Sequence, residues 1–172
     1  HELRDDVPTL AKIASANGYQ TTFVGKWHLG GEGKPEWAPT IDGGFEHKEF
    51  MFNRGHWKKF ALRDTGPAVA ALDKKGKPSY GVDGADETTF STDFLTDRTI
   101  DFIHRSSEAP FLAVVSYPDP HGPNTVRAPY DRMYEHLRFL APRTYGRDDM
   151  SVPGWLSGVK NHAKFRGDQM SL

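Results

Sequence analysis

Apolar residues near the start of the chain recur first at helical spacing and then in a strand-like run. Leu10, Ile13 and Ala14 predict one apolar face of a helix within residues 6–18, which closes on an Asn-Gly pair. The short, β-branched and aromatic segment 20–24 then predicts a buried strand that ends before a glycine. The first unit is therefore a helix followed by a strand.

A second unit of the same kind follows further along the chain. Leu95, Phe102 and Ile103 lie at helical spacing within residues 92–107, and the apolar segment 111–117 reads as a strand. Strands that are apolar throughout are typical of parallel sheets with helices on both faces. The pattern predicts an α/β fold, with a mostly parallel sheet flanked by helices.

The rest of the chain shows no clear periodicity. Segments 32–90 and 124–172 are rich in Gly, Pro and charged residues, which predicts long, loop-rich insertions. The length of 172 residues fits one domain. Because the first residue is not Met and residues 168–172 read as the start of a helix, we expect residues 1–172 to be the central part of a domain, truncated at both ends.

Composition excludes several classes of function. Lys and Arg number 22 against 23 Asp and Glu, so the net charge of -1 creates no global field that attracts nucleic acid. No apolar run approaches the length that spans a bilayer. The absence of Cys excludes disulfides, thiolate zinc sites and a cysteine nucleophile within the chain. Any anion that the protein binds must be held locally.

Lys26 and His28 stand where the first predicted strand gives way to a glycine-flanked loop. In extended backbone, side chains two residues apart point to the same side. A converging ammonium and imidazole suit a tetrahedral oxyanion, because Lys supplies a point charge and His donates a hydrogen bond or moves a proton near neutral pH. The alternative is a solvated Lys26 beside a His28 that packs against Trp27.

His121 lies in a proline-rich loop directly after the second predicted strand. The prolines deny this loop helical structure and so hold His121 at the carboxyl end of the strand. Ligands of parallel sheets gather at that edge, which is also where Lys26 and His28 are expected. Taken alone, a turn in which His121 only caps the strand also explains the pattern.

Together these segments resemble the signatures of the sulfatase family. Residues 25–30, Gly-Lys-Trp-His-Leu-Gly, are similar to the second sulfatase signature, and residues 120–123, Pro-His-Gly-Pro, are similar to a later Pro-His-x-Pro segment. Residues 44–50 are a looser match to a Gly-Phe-acid-x-Phe segment that usually lies between them. The matches occur in the order that the family shows.

The resemblance implies an alkaline-phosphatase-like α/β fold and hydrolysis of sulfate esters, in which a formylglycine hydrate attacks sulfur beside a calcium ion. Lys26 would bind a sulfate oxygen and the hydrate, His28 would hydrogen-bond the hydrate and assist its collapse, and His121 would contact the sulfate near the leaving oxygen. The expected catalytic residues are thus Lys26, His28 and His121, with Lys26 and His121 also binding substrate. A sulfated carbohydrate is one candidate substrate.

The chain departs from the family at the nucleophile and at the metal. In the family, formylglycine arises from a Cys or Ser in a Cys/Ser-x-Pro-x-Arg motif, and no serine here has that context. The acidic pairs that hold the metal are not visible either. We therefore expect calcium and formylglycine in the intact parent but outside this chain, no metal ligand within it, and no activity of the chain alone. The family also implies a periplasmic or secreted parent.

Two other functions stay open. A phosphodiesterase or phosphonate hydrolase of the same superfamily shares the implied fold, although Gly-Lys-Trp-His-Leu-Gly argues against it. A non-catalytic module that binds sulfated glycans keeps the anion site without the chemistry.

The remaining charged clusters predict less. Residues 54–60 combine basic and aromatic side chains, the ingredients of a single-strand nucleic-acid surface. Since no recognised nucleic-acid fold surrounds them, a solvated insertion is the favoured interpretation, and shaping of the pocket or contact with a sulfated glycan is the functional alternative. Four arginines are further candidates for such a contact: Arg127, Arg132, Arg143 and Arg147. Asp148 and Asp149 are interpreted as solvated.

Overall fold

The structure, a computed structural model, describes residues 2–106, 108–138, 140, 142–143, 154, 164–166 and 169–171. It divides into two compact units, residues 1–131 and 132–172. None of the helices within these described ranges is long and apolar enough to cross a membrane.

A three-stranded parallel sheet forms the centre of the first unit. The strands are β1 (Gln20–Trp27), β2 (Met51–Asn53), β3 (Phe60–Arg63), β4 (Gly66–Val69) and β5 (Phe111–Ser116). The sheet has the order β2-β1-β5, while β3 and β4 form a separate antiparallel hairpin. Two helices contact the sheet, α1 (Leu10–Ala16) and α2 (Ser91–Arg105). The predicted α/β fold with a parallel sheet flanked by helices is confirmed.

Helix α1 begins and ends where the sequence predicts, but most of its apolar face is exposed to solvent. Thr9 caps its start by accepting a hydrogen bond from the backbone of Lys12 over 3.2 Å. Leu10 and Ile13, which the spacing predicts on one apolar face, are 65% and 53% exposed. The helix instead buries Ala11, because a methyl group permits close approach of the helix to the sheet.

Strand β1 extends three residues beyond its predicted end. Gly25, Lys26 and Trp27 pair with the three residues of β2, which adds a parallel neighbour that hydrophobic patterning did not reveal. Segment 32–90, predicted to be loop-rich, thus also contains β2 and the β3–β4 hairpin. A three-residue strand carries too few side chains for a periodicity of two to be visible.

The core lies on both faces of β1, whose side chains alternate between two clusters. One cluster contains Phe23, Trp27 and Met51. The other contains seven buried residues from the sheet, the hairpin, α2 and the loop after β2: Val24, Phe52, Trp57, Phe60, Val69, Phe94 and Leu95. Lys26 alternates onto the same face of β1 as Val24 and stands at the carboxyl end of that face.

In the second unit, two short strands pair antiparallel: β6 (Lys164–Arg166) and β7 (Gln169–Ser171). The prediction that residues 168–172 begin a helix is therefore wrong. A strand of this length is again too short to show its own spacing.

The close approach of β1 and β5 requires glycine at position 25. Gly25 has φ +111°, and a Cβ there would collide with the backbone carbonyl of Ser116. Gly25→Ala is expected to lower the free energy of unfolding by about 3 kcal/mol, because it adds overpacking to backbone strain. Gly18→Ala is the matched control, since Gly18 has φ +81° with open space around it, and we expect a loss of about 1 kcal/mol. Equal losses in urea denaturation would contradict this explanation.

Candidate functional site

Lys26, at the carboxyl end of β1, contacts a histidine that is distant in sequence. Its ammonium nitrogen lies 3.1 Å from Nδ1 of His56. Because an ammonium group only donates hydrogen bonds, Nδ1 of His56 accepts and the ring proton lies on Nε2. His56 is therefore held as a neutral imidazole with its second nitrogen available as a donor.

The ring face of His56 contacts the loop after β5. The rings of His56 and His121 stack with their centroids 3.5 Å apart and their planes at 14°. Nδ1 of His121 donates to the carbonyl oxygen of Gly122 over 3.1 Å. This bond leaves Nε2 of His121 for another partner. The loops after β1, β2 and β5 thus meet at one rim of the sheet.

His28 belongs to the same electrostatic cluster. Its pKa is lowered below the usual 6.5, first by partial desolvation and then by the positive charges of Lys26, Arg54 and His121. Its side chain is exposed, so it remains accessible to a ligand. The structure therefore brings Lys26, His28 and His121, the residues predicted from sequence, to a common rim.

Like charges dominate this rim. The pKa of His56 is lowered to about 4 by desolvation, then by Lys26 and His121 and more weakly by Lys34 and Lys58. Desolvation and Lys34 also lower the pKa of Lys26. Each of these lowered pKa values means that the site disfavours additional positive charge. An anion placed among these groups would raise all three pKa values again. The cluster is suited to hold an anion.

His56 reaches the cluster through a tight turn after β2. Arg54 has φ +61°, which is uncommon for a residue with a side chain, and its backbone N–H donates to the carbonyl of Trp27 over 3.1 Å. The prediction that residues 54–60 form a solvated insertion is wrong, because Trp57, Lys58 and Phe60 are buried. Sequence reasoning recognised the composition of this segment but missed its position, since β2 was not predicted.

A buried ion pair joins this segment to the loop that carries His121. Lys58 is 1% exposed and pairs with the carboxylate of Asp119. The second oxygen of Asp119 accepts a hydrogen bond from Thr92 on α2 over 3.1 Å. Lys58 and Asp119 each lie two residues from a histidine of the stacked pair, so the ion pair positions His56 against His121.

Arg127, a candidate glycan contact from the sequence, is engaged within the fold. Its guanidinium donates two hydrogen bonds to the carboxylate of Asp93, at 2.7 and 3.1 Å, and lies 5.0 Å from the ring centroid of Tyr130. The hydrogen bonds to Asp93 raise the pKa of Arg127. Arg147, Asp148 and Asp149 lie outside the described residues.

The described residues do not fit a calcium ion. Within residues 2–143, apart from the gaps given above, no three side chains of His, Asp or Glu converge as a metal site requires.

Replacement of Asp119 should separate the role of the ion pair from that of the buried lysine. Asp119→Asn leaves the ammonium of Lys58 buried without its counter-charge, and we expect a loss of about 3 kcal/mol in the free energy of unfolding. Lys58→Met removes the buried charge itself and should cost about 1 kcal/mol, because Asp119 retains Thr92 and partial exposure. Urea denaturation of the two variants checks this order, and the reverse order would contradict it.

The pKa of His56 predicts a pH dependence of stability. The unfolded chain takes up a proton near pH 6.5, whereas folded His56 does so only near pH 4. The stabilisation is therefore complete above pH 6.5 and is lost as the pH falls from about 6.5 to about 4. After a discount for partial exposure we expect a loss on the order of 1 kcal/mol.

His56→Asn should flatten this part of the profile, since an amide oxygen still accepts from Lys26 but does not titrate. Thermal unfolding between pH 4 and pH 7 measures the profile, and NMR titration of the ring measures the pKa directly. A His56 signal that titrates near 6.5 would show that the ring is not held as described.

Comparisons with known proteins identify the family of the chain. A family model described as Sulfatase matches residues 1–139. The chain is 28% identical over 137 residues to the uncharacterized sulfatase YidJ of Escherichia coli, covering 75% of this chain and 26% of YidJ. It is 29% identical over 140 residues to human N-acetylglucosamine-6-sulfatase, covering 77% of this chain and 22% of that enzyme.

N-acetylglucosamine-6-O-sulfatase of Bacteroides thetaiotaomicron is 29% identical over 119 residues, 67% of this chain and 17% of the relative. The chain thus spans about a quarter or less of the length of these curated relatives. The family model covers most of the chain, residues 1–139 of 172. The chain belongs to the sulfatase family.

Proposed function

We propose that the protein containing this chain hydrolyses sulfate esters, and that Lys26, His28, His56 and His121 hold the sulfate group. The proposal rests on the contact of Lys26 with His56 and the stacking of His56 on His121, at the rim where the two signature segments end. Among the described residues, none of these four nitrogen-bearing side chains has a carboxylate as an ion-pair partner, which suits the binding of one compact oxyanion.

Each residue has a role that follows from its available atoms. Breaking the sulfur–oxygen ester bond puts negative charge on the leaving oxygen and on the peripheral sulfate oxygens. The ammonium of Lys26 and the Nε2–H of His56 would stabilise the peripheral oxygens, at roughly 3 kcal/mol per well-placed donor. Nδ1–H of His121 is bonded to Gly122, so Nε2 is the nitrogen left for the substrate. In the imidazolium form of His121, Nε2–H would deliver its proton to the leaving oxygen and leave the ring neutral. His28 would hydrogen-bond the attacking group.

The proposed reaction also needs a nucleophile and a metal ion, which other parts of the intact protein would supply. Family membership makes formylglycine the proposed nucleophile and calcium its companion. No serine of this chain has the required Cys/Ser-x-Pro-x-Arg context, and the described residues offer no calcium site. No step assigned above to this chain depends on them. Export to the periplasm or beyond also stays a prediction.

Two relatives are named for a sulfated amino sugar, which favours a sulfated carbohydrate as the proposed substrate. The same names favour sulfatase over phosphodiesterase activity. Only a measurement of turnover distinguishes a sulfatase from a module that binds sulfated glycans without cleaving them.

Lys26→Ala in the intact protein is expected to lower kcat/KM for an aryl sulfate by about a hundredfold or more, because it removes a cationic donor that acts on the transition state. Lys75→Ala is the matched control, since Lys75 is exposed in a turn outside the cluster, and its activity should match the wild type. Release of the coloured phenol gives the rate.

The same assay with an aryl phosphodiester separates the two enzymatic alternatives. Faster cleavage of the phosphodiester would support phosphoryl transfer, and binding of sulfate without turnover would support the binding module. If Lys26→Ala retained wild-type turnover of the aryl sulfate, the role given to Lys26 would be wrong.

A further inference from the structure

A cavity of about 540 Å³ adjoins the candidate sulfate site. Six residues line it: Lys34, Trp57, Lys77, Pro78, Ser79 and Tyr80. Tyr80 also packs against His56, with the ring centroids 5.6 Å apart, so this wall is shared with the sulfate cluster. The lining supplies two ammonium groups, two hydroxyl groups and aromatic surface but no carboxylate.

Lys34 is held in this cavity by aromatic rings rather than by a counter-charge. Its ammonium nitrogen lies 5.4 Å from the ring centroid of Tyr80 and 6.0 Å from that of Trp57. In the part of the chain that the structure describes, no carboxylate lies within 4.0 Å of the ammonium groups of Lys34 or Lys77. The nearby carboxylate of Glu36 accepts instead from the backbone of Gly33 over 3.1 Å.

The two cationic regions are also linked electrostatically. The charge of Lys34 lowers the pKa of both Lys26 and His56. A single sulfate group bound at the Lys26 cluster would leave the ammonium groups of Lys34 and Lys77 without a counter-ion. A ligand with two separated negative groups satisfies both regions at once, and aromatic side chains beside the second group suit a sugar ring.

We propose that this cavity binds a second anionic group, a sulfate or a carboxylate, carried by the same glycan whose sulfate ester is cleaved at the Lys26 cluster. This inference rests on the proposed sulfatase activity and deepens it by naming a polyanionic glycan as the substrate class. Lys34 is the residue that selects for the second charge, and Lys77 is the second lysine of the lining.

The test compares three substrates in the intact protein: a monosulfated amino sugar, the same sugar with a second sulfate, and a sulfated disaccharide that contains a uronic acid. Released inorganic sulfate is measured by ion chromatography at low and at high salt. The variants are Lys34→Gln, Lys34→Arg and the control Lys74→Gln, which alters an exposed lysine outside the cavity. The two doubly charged substrates distinguish a sulfate from a carboxylate as the second group.

Lys34→Gln is expected to lower kcat/KM for at least one doubly charged substrate about tenfold, mainly through KM, and to leave the monosulfated sugar within about twofold. Lys34→Arg keeps the charge and the stacking on aromatic rings, and so should retain the preference. High salt should weaken the preference of the wild type.

Equal losses on all three substrates, or a wild type that does not prefer a second charge, would overturn the second-anion site while leaving the sulfatase proposal intact. A wild type that releases no sulfate from any of the substrates would overturn the proposed function, and the second-anion site would fall with it.

Discussion

Parallel pairing of β1 with both of its neighbours is the constraint on which the candidate site depends. Parallel strands end at the same edge of a sheet, so the segments that leave β1, β2 and β5 emerge side by side. Lys26, His56 and His121 come from these three segments and are far apart in sequence. Their contact follows from the register of the sheet rather than from any local motif.

The rim gathers positive charge at a cost that a ligand can offset. One lysine of this region, Lys58, is neutralised by the partly buried carboxylate of Asp119, and this ion pair also joins the two loops that carry the stacked histidines. Lys26 and Lys34 are not neutralised in this way by any described residue, and each adds to the field on His56. The fold therefore supplies rigidity through an internal ion pair and leaves its other cations for an anion from outside.

The sequence predicted the two helix-then-strand units and named three residues of the candidate site because those features are local. A long helix such as α2 shows its spacing, and Lys26, His28 and His121 lie just beyond the ends of the two predicted strands. His56 was not predicted, because its position depends on a three-residue strand and on the left-handed conformation at Arg54. The exposed face of α1 was also missed, since spacing identifies an apolar face but not whether the fold covers it.

A titration of this chain with inorganic sulfate, followed by NMR of the imidazole rings, tests the central claim most directly. The signals of His28, His56 and His121 are expected to shift together with a single Kd, because the three rings surround one anion. His104, which lies near the end of α2, should not shift. Separate Kd values for the three rings, or shifts confined to His104, would show that no common anion site exists.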